Sequence, residues 1–599
     1  MRHQGGGTGF TCAEPVTWCT GVKHLKTSVR WCGVCNVPLL GEKCDVCGDK
    51  GFYLKTRGKT DLRPVFEEER KLILETLDKQ YGSGAGGKVM YDGHLMLANK
   101  LFYVDQAYEI ISDGRLIGHF FFDVYVYDWV FKPVEYGCLR IFKNLGIGFF
   151  KEGVEKGDSL KIAELNLPVE ARYLPVYGEK GVYGVAQLTG NGEARVIKTF
   201  QPILNEEKAK PSGLEDVLKS NLEYLRRRES RAIVFIHRLL NRIRKPTCVS
   251  YSGGKDSLAT LLLVLKAGVK PKVSFTNTGI ELPETVENVK KVADSLGLEL
   301  LTVDAYDGFW KGLNVFGLPS RDYRWCCKVI KLIPTARLYR RAFPRGSLTF
   351  VGQRALESRK RARTGSVWRN QWIPGSISAS PINDWDMLTV WLYLLYRGVL
   401  NLVNKAYFYG FSRIGCYPCP SCSIGDYLLL EKIHPELWSR FRREILRHLS
   451  DKDSLSLKYH LWRWKRVPVK MKKVVGEVHS RRLEKYVVKD NGVATCLVLD
   501  REIDEDRLRE LVKTLGHSAA SYVLNGNKVV FKLETKNRKM ISIVLRAAYC
   551  LGCGSCEAWC PHEALFLNRD GKVHVDETRC KGCETCMEKC PVVEFLLPF

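Results

Sequence analysis

The sequence predicts a multidomain α/β protein built around a central parallel sheet, and three observations predict it. At 599 residues the chain is longer than one domain, and its 45% apolar content is ordinary for globular cores. From Thr247 to Val303 strand-like and helix-like segments alternate, an order that gives parallel strands with ligands at their C-terminal ends. Most of the 22 cysteines stand at metal-ligand spacings, the usage expected of thiolates in a reducing cytoplasm rather than of a disulfide framework. The segments predicted are 28–52, 85–202, 212–245, 246–430, 431–546 and 547–599.

Two function classes recede at once. The first thirty residues hold no apolar stretch long enough for a signal peptide. The best candidate for a membrane span, Leu388 to Val403, is interrupted by Arg397 and Asn401 and reads as a buried helix, so no membrane partner is expected and the location expected is cytoplasmic. The net charge of +27, from 93 basic and 66 acidic residues, favours a polyanionic partner, nucleic acid above all, over a merely solvated surface.

Near the N-terminus, Cys32 and Cys35 form one CxxC, and Cys44 and Cys47 another, with Gly33 and Gly48 beside them for tight turns. Four thiolates on two such knuckles suit a closed, structural zinc site. Cys12 and Cys19 lack that spacing and are expected to be free. The segment 28–52 resembles a zinc ribbon, which implies either nucleic-acid contact or the bracing of a domain. From Val89 to about Phe200 the text is β-rich. Phe120 to Val126 is a run of aromatic and β-branched residues, and Gly190-Asn191-Gly192 is a hairpin signal. Residues 85–202 look like a PUA-like domain of the kind found in RNA-modifying enzymes. Over 212–245 a helix is expected, with Leu218, Leu222, Leu225, Ile233, Ile236 and Leu240 buried. Arg226, Arg227, Arg228, Arg231, Arg238, Arg242 and Arg244 would give it either a solvated face or a face that tracks RNA.

Thr247 to Tyr251 reads as a strand and Leu258 to Lys266 as a helix. Between them lies Ser252-Gly253-Gly254-Lys255-Asp256-Ser257. A glycine turn at a helix start offers N–H groups and a positive helix end to phosphate; Lys255 adds charge and the serines add donors. The Walker A spacing is absent. The six residues resemble the PP-loop of ATP-pyrophosphatases, which implies an adenine nucleotide α-hydrolase-like domain over 246–430, binding ATP or another adenylyl nucleotide with Mg2+ placed by Asp256. Thr278-Gly279-Ile280-Glu281-Leu282-Pro283-Glu284-Thr285 opens the next helix. Farther on come Val351-Gly352-Gln353-Arg354, then Arg359, Lys360, Arg361 and Arg363, and Pro381-Ile382-Asn383-Asp384-Trp385. In this order they are similar to the phosphoadenosine phosphosulfate (PAPS) reductase family. That resemblance implies nucleotide contacts from Thr278, Gly279 and Arg361, and anion-neutralising or catalytic roles for Lys255, Asp256, Arg354 and Arg359.

Cys326 and Cys327 are adjacent, and Cys416 and Cys419 form a CxxC about ninety residues on. Four such thiolates suit iron–sulfur or zinc. They look like the CC…CxxC set of adenosine phosphosulfate (APS) reductases, which favours a third [4Fe–4S] cluster. Cys422 beside them is read as an inert buried thiol, ahead of a spare ligand or a sulfur carrier.

At the C-terminus, Cys550, Cys553, Cys556 and Cys560 precede Pro561, and Cys580, Cys583, Cys586 and Cys590 precede Pro591. This doubled C-x2-C-x2-C-x3-C-P serves two [4Fe–4S] clusters, the fourth cysteine of each run ligating the other cluster. One set is then Cys550, Cys553, Cys556 and Cys590; the other is Cys580, Cys583, Cys586 and Cys560. Residues 547–599 resemble bacterial-type two-cluster α+β ferredoxins, which implies an external electron donor. Ahead of them, 431–546 should hold a small α+β unit with a hairpin turn at Asn525-Gly526-Asn527 and a basic, aromatic connector. Its His460, Trp462, Trp464, Lys465, Arg466, Lys470, Lys472 and Lys473 are expected to pack against the catalytic domain rather than to stack on nucleic acid.

Two departures from the reductases shape the functional expectation. Their C-terminal ECGLH-type cysteine tail is absent, and Lys255 completes a loop that is usually degenerate in them. The favoured expectation is ATP-dependent sulfur transfer to RNA, as in tRNA thiolation, fed by the fused ferredoxin. The alternative is reduction of APS or PAPS to sulfite. A nucleic-acid-binding redox sensor is third.

Overall fold

The structure, a computed structural model, describes residues 28–597 apart from 57–58, 162–169, 191, 208, 449–453, 476–484, 491–493, 515–520, 533–536 and 569–572. Residues 1–27, with Cys12 and Cys19, lie outside the described residues, as does Asn191 of the hairpin signal.

The central domain is built on a six-stranded sheet. Its strands are β1 (Thr247–Ser250), β2 (Lys272–Asn277), β3 (Leu300–Asp304), β4 (Leu348–Val351), β5 (Val367–Arg369) and β6 (Ile377–Ala379), in the spatial order β3-β2-β1-β4-β6-β5. All neighbours run parallel except β5 and β6. Helix α1 (Lys255–Lys266) crosses from β1 to β2, and α2 (Pro283–Ser295) from β2 to β3. The chain then returns to the other side of β1 to lay down β4. The strand order reverses between β1 and β4, and in open α/β sheets ligands collect outside the strand ends at such a point. β1 and β4 are buried at their centres on both faces, Cys248 packing into one core and Val249 into another. Val249, Leu261, Val273, Phe350, Trp391 and Tyr393 belong to one buried core. The first part of the apolar stretch Leu388–Val403 lies in a helix of that core, Met387–Tyr396, with Asp386 as its cap. Among the described residues no helix is long and apolar enough to cross a membrane.

The β-rich N-terminal part resolves into two five-stranded sheets. The first runs Leu62–Pro64, Leu97–Lys100, Ala107–Ser112, Arg115–Asp123 and Asp128–Pro133. The second runs Ser159–Lys161, Glu193–Ile203, Gly181–Gly190, Tyr173–Gly178 and Phe149–Phe150. The basic helical segment breaks at Asn221, giving Leu214–Lys219 and Leu222–Arg242. The break has a cause: the Asn221 side chain donates to the Pro38 carbonyl at 2.9 Å and accepts from Leu40 N at 2.7 Å, tying this point to the cysteine knuckles. The buried stripe is Leu225, Glu229, Ala232, Ile236 and Leu239, while Arg226, Arg227, Arg231 and Arg238 face outward.

The connector packs, as expected. His460 lies against Tyr427, Trp462 against Phe441, and buried Arg463 pairs with Asp105 at 3.2 Å. A four-stranded sheet over 486–532 and helix Asn537–Tyr549 lead into the tail. The tail is visibly duplicated: the short helices Ser555–Trp559 and Thr585–Glu588 both start after a left-handed residue, Gly554 and Glu584, one position past Cys553 and Cys583.

Candidate functional site: a phosphate loop beside a thiol cluster

The loop Ser252–Ser257 sits at the C-terminal end of β1. Gly253 has φ +73, a conformation that favours glycine, and this turn aims the loop at the start of α1. Gly352, just after β4, approaches so closely that a Cβ there would stand 2.4 Å from Ser257 N. The two strands flanking the switch point are thus joined by a contact only glycine permits. Ser257 Oγ donates to the Gly254 carbonyl at 2.8 Å and Ser252 N donates to Ser257 Oγ at 3.3 Å, fixing the loop.

Lys255 is only 8% exposed, and its ammonium meets Asp256 at 2.7 Å. Arg354, 1% exposed, donates through Nε to the other Asp256 oxygen at 2.7 Å. Burial pushes the Asp256 carboxyl up, but Lys255 and Arg354 overcome it and hold it below the usual carboxylate range. Burial likewise works against charge on Lys255, and Asp256 restores it. Arg354 is held again from behind by Asp61, at 3.1 Å to both oxygens. Asp61 also accepts from Met387 N at 2.7 Å, and nearby Lys59 donates to the Leu356 carbonyl at 2.6 Å. The N-terminal part therefore builds one wall of this site, a feature the sequence did not disclose. Arg359 opens the short exposed helix Arg359–Thr364, and Arg361 pairs with Glu357 on the same rim. Lys255, Asp256 and Arg354 are brought together; Arg359 and Arg361 stand outside them.

Thr278 and Gly279 follow β2 on the same edge of the sheet. Thr278 is buried, its hydroxyl donating to Glu281 at 2.9 Å and lying 3.5 Å from Cys416 Sγ. The CxxC loop is sewn to this segment by a Glu281–Cys416 bridge and by Tyr417 N donating to the Ile280 carbonyl at 3.0 Å. Cys326, Cys327, Cys416 and Cys419, ninety residues apart in pairs, share one electrostatic neighbourhood, with Cys422 beside Cys419. Arg324 reaches Cys327 Sγ at 3.2 Å, and Arg324 and Arg413 both favour the thiolate form of Cys419. Glu281, raised by burial, faces the same thiols. Cys422 is buried and lies next to Cys419, its N–H donating to the Cys419 carbonyl at 2.9 Å.

The tail thiols lie close enough to act on one another: the charges on Cys553 come from Cys590, Cys550 and Cys556, and those on Cys586 from Cys590 and then Cys560, so members of both expected sets contribute. Their donor set, all thiolates in two knuckled runs, fits two [4Fe–4S] clusters. The Cys32 set differs. Cys32 and Cys47 sulfurs are 3.4 Å apart and Cys35 and Cys44 sulfurs 3.8 Å, and all four lie within 4.8 Å of one another. Tetrahedral Zn–S bonds place sulfurs about 3.8 Å apart, so this set fits one ion. Among the described residues it is the only group of three or more Cys, His, Asp or Glu side chains whose donor atoms all lie this close together.

Residues 246–422 match the phosphoadenosine phosphosulfate reductase domain, and 544–596 match the 4Fe-4S dicluster domain. "Uncharacterized protein MJ0066" of Methanocaldococcus jannaschii is 32% identical over 478 residues, which is 74% of this chain and 97% of that protein. A phosphoadenosine 5'-phosphosulfate reductase of Gloeobacter violaceus is 28% identical over 170 residues, 28% of this chain and 67% of the relative. A crystal structure of PAPS reductase from Candida auris in a phosphate complex aligns over 36% of this chain and 97% of its own, at 16% identity and a TM-score of 0.26. The chain, a relative of MJ0066, thus carries a phosphoadenosine phosphosulfate reductase domain, which holds the buried Lys255–Asp256–Arg354 cluster and the CC…CxxC thiols, fused to a 4Fe-4S dicluster domain.

Proposed function

We propose that this protein reduces an adenylyl sulfate, APS or PAPS, to sulfite, with electrons delivered by its own ferredoxin tail. The observation that carries this reading is the seat of the tail. Lys328, immediately after Cys327, pairs with Glu594 of the last helix; Tyr323 donates to the Phe595 carbonyl at 3.3 Å; and Arg337 and Arg341 hold Glu557 at 3.0 and 2.8 Å. One buried core runs from Phe309, Trp325 and Cys326 to Val544, Cys556 and Val592. A redox module seated against the CC pair is well placed to deliver electrons there, to a substrate that needs two of them. This reverses the order of preference drawn from sequence.

In this reading the loop Ser252–Ser257 and the start of α1 bind the nucleotide phosphates, and Lys255 exchanges part of its bond to Asp256 for phosphate oxygen. Asp256 places Mg2+ where a nucleotide brings one. Arg359 and Arg361 meet the anion at the rim. Cys326, Cys327, Cys416 and Cys419 would hold a [4Fe–4S] cluster, which would supply one-electron transfer. The S–O bond to the phosphate oxygen breaks as two electrons reduce sulfur from the sulfate to the sulfite level, and AMP or its 3'-phosphate leaves. No separate thiol tail is required, because the electrons arrive through the tail's own sites.

The second reading, ATP-dependent sulfur transfer to tRNA, is favoured by the complete SGGKDS loop and by the outward arginines of helix Leu222–Arg242. An assay of anaerobically prepared protein under dithionite separates the two. Sulfite from APS or PAPS supports reduction. Pyrophosphate from ATP that depends on tRNA, without sulfite, supports the second reading.

A further inference from the structure

Buried cations stand at the joints between thiolate sets. Arg546, on helix Asn537–Tyr549 and 6% exposed, reaches Cys586 Sγ at 3.7 Å. The thiols whose charge it feels are Cys590, Cys586, Cys556 and Cys550, members of both tail sets. Lys328 is 5% exposed and directly follows Cys327 in the chain, yet the thiols near its ammonium are Cys590 and Cys553 of the tail. Its partner Glu594 is anchored to the same set, its N–H donating to the Cys590 carbonyl at 3.0 Å. Lys589 adds a like charge nearby. At the far end Arg324 contacts Cys327 at 3.2 Å. The outermost thiol is Cys583, which is exposed, whereas Cys556, Cys326 and Cys419 are buried.

A set of four thiolates around a cluster is anionic and more so when reduced. In a low-dielectric interior, neighbouring anions repel, and a buried cation between them offsets that repulsion and favours the reduced form. We propose that Arg546 and Lys328 order the three thiolate sites into one line. Electrons enter at the Cys560, Cys580, Cys583 and Cys586 site, pass the Cys550, Cys553, Cys556 and Cys590 site, and leave at the CC…CxxC site. Lys328 is the positioning residue that sets the potential of the middle site. Each transfer moves one electron from an external low-potential one-electron carrier and forms or breaks no bond. The last transfer rests on the reading given under Proposed function; the roles of Lys328 and Arg546 toward the tail do not.

The test is an EPR-monitored redox titration of the full-length holoprotein and its variants. Lys328→Gln should lower the midpoint of one tail cluster by about 59 mV or more, a tenfold change in its reduced-to-oxidised ratio, and leave the other tail cluster in place. Lys328→Arg should restore the midpoint, and Glu594→Gln should raise it. A Lys328→Gln protein with full iron content and unmoved midpoints, or with both tail clusters shifted equally, overturns the proposal. Iron analysis separates the two readings: about twelve irons per chain supports a cluster at the third site, and about eight removes the last step and the reading it rests on. The Lys328 shift is decided independently.

Discussion

Asp61 and Arg354, 293 positions apart, are joined by hydrogen bonds of 3.1 Å to both carboxylate oxygens. That pair fastens the N-terminal sheets to the phosphate loop, because Arg354 turns its Nε to Asp256. With Asp61 replaced by Asn, a guanidinium that is 1% exposed loses half of its countercharge. Breaking a buried pair costs about 3 kcal/mol. Asp61→Asn should therefore lower the melting temperature and weaken nucleotide binding together. Unchanged melting and unchanged affinity would mean the pair is idle.

Gly352→Ala should act on the loop without touching any charged group. Its Cβ would stand 2.4 Å from Ser257 N, so α1 must move away from β4. Affinity for APS, PAPS or ATP, read by equilibrium dialysis, should fall at least about tenfold while the circular dichroism spectrum holds. Lys255→Ala should do the same by removing a charge instead of displacing a backbone, leaving Asp256 paired with Arg354 alone. Wild-type affinity in both variants would remove the loop from the binding site.

The Cys32, Cys35, Cys44 and Cys47 set should hold about one zinc per chain, distinct from the iron. Cys44→Ser should lose it and loosen the joint at Asn221, since Asp45 N donates to the Ser220 carbonyl at 3.1 Å beside that ligand. Metal analysis showing iron at this set, or zinc retained in the variant, would contradict the assignment.

His460 gives a pH dependence with a fixed sign. Burial, with Arg463 adding, pushes its imidazole down to about 3. The groups facing it are the Tyr427 and Trp438 rings and the Arg463 guanidinium. An unfolded histidine takes a proton near pH 6.5 that the folded one refuses. Stability from this residue is thus complete above pH 6.5 and is lost as pH falls toward 3, by about 1.4 kcal/mol per unit. In denaturant titrations the stability margin of wild type over His460→Gln should shrink by that slope between pH 6.5 and 4.5. A constant margin would place a solvated or charged histidine there.

Much of this was legible in the chain. Cysteine spacing is a local property, so the tail sets and the Cys32 knuckles could be read directly, and the phosphate loop followed from six contiguous residues between a strand and a helix. What was hidden is long-range. Nothing in the text around Asp61 marks it as the partner of Arg354, because an acidic residue before a short strand has no signature. The arginines Arg354, Arg359 and Arg361 look equivalent in sequence, yet burial separates the first, locked between two carboxylates, from the others at the rim. The break at Asn221 was missed because helical periodicity runs through it; only its side-chain bonds to Pro38 and Leu40 reveal it. The seat of the tail on Lys328 was likewise invisible, and it is the observation on which the proposed reading rests.

The most direct test of that reading is a single turnover. The holoprotein is reduced anaerobically, freed of excess reductant and mixed with APS, PAPS, or ATP with tRNA. The account predicts sulfite from APS or PAPS, with the tail clusters reoxidised by two electrons for each sulfite formed. Clusters that stay reduced and yield no sulfite, while ATP and tRNA together release pyrophosphate, would contradict it.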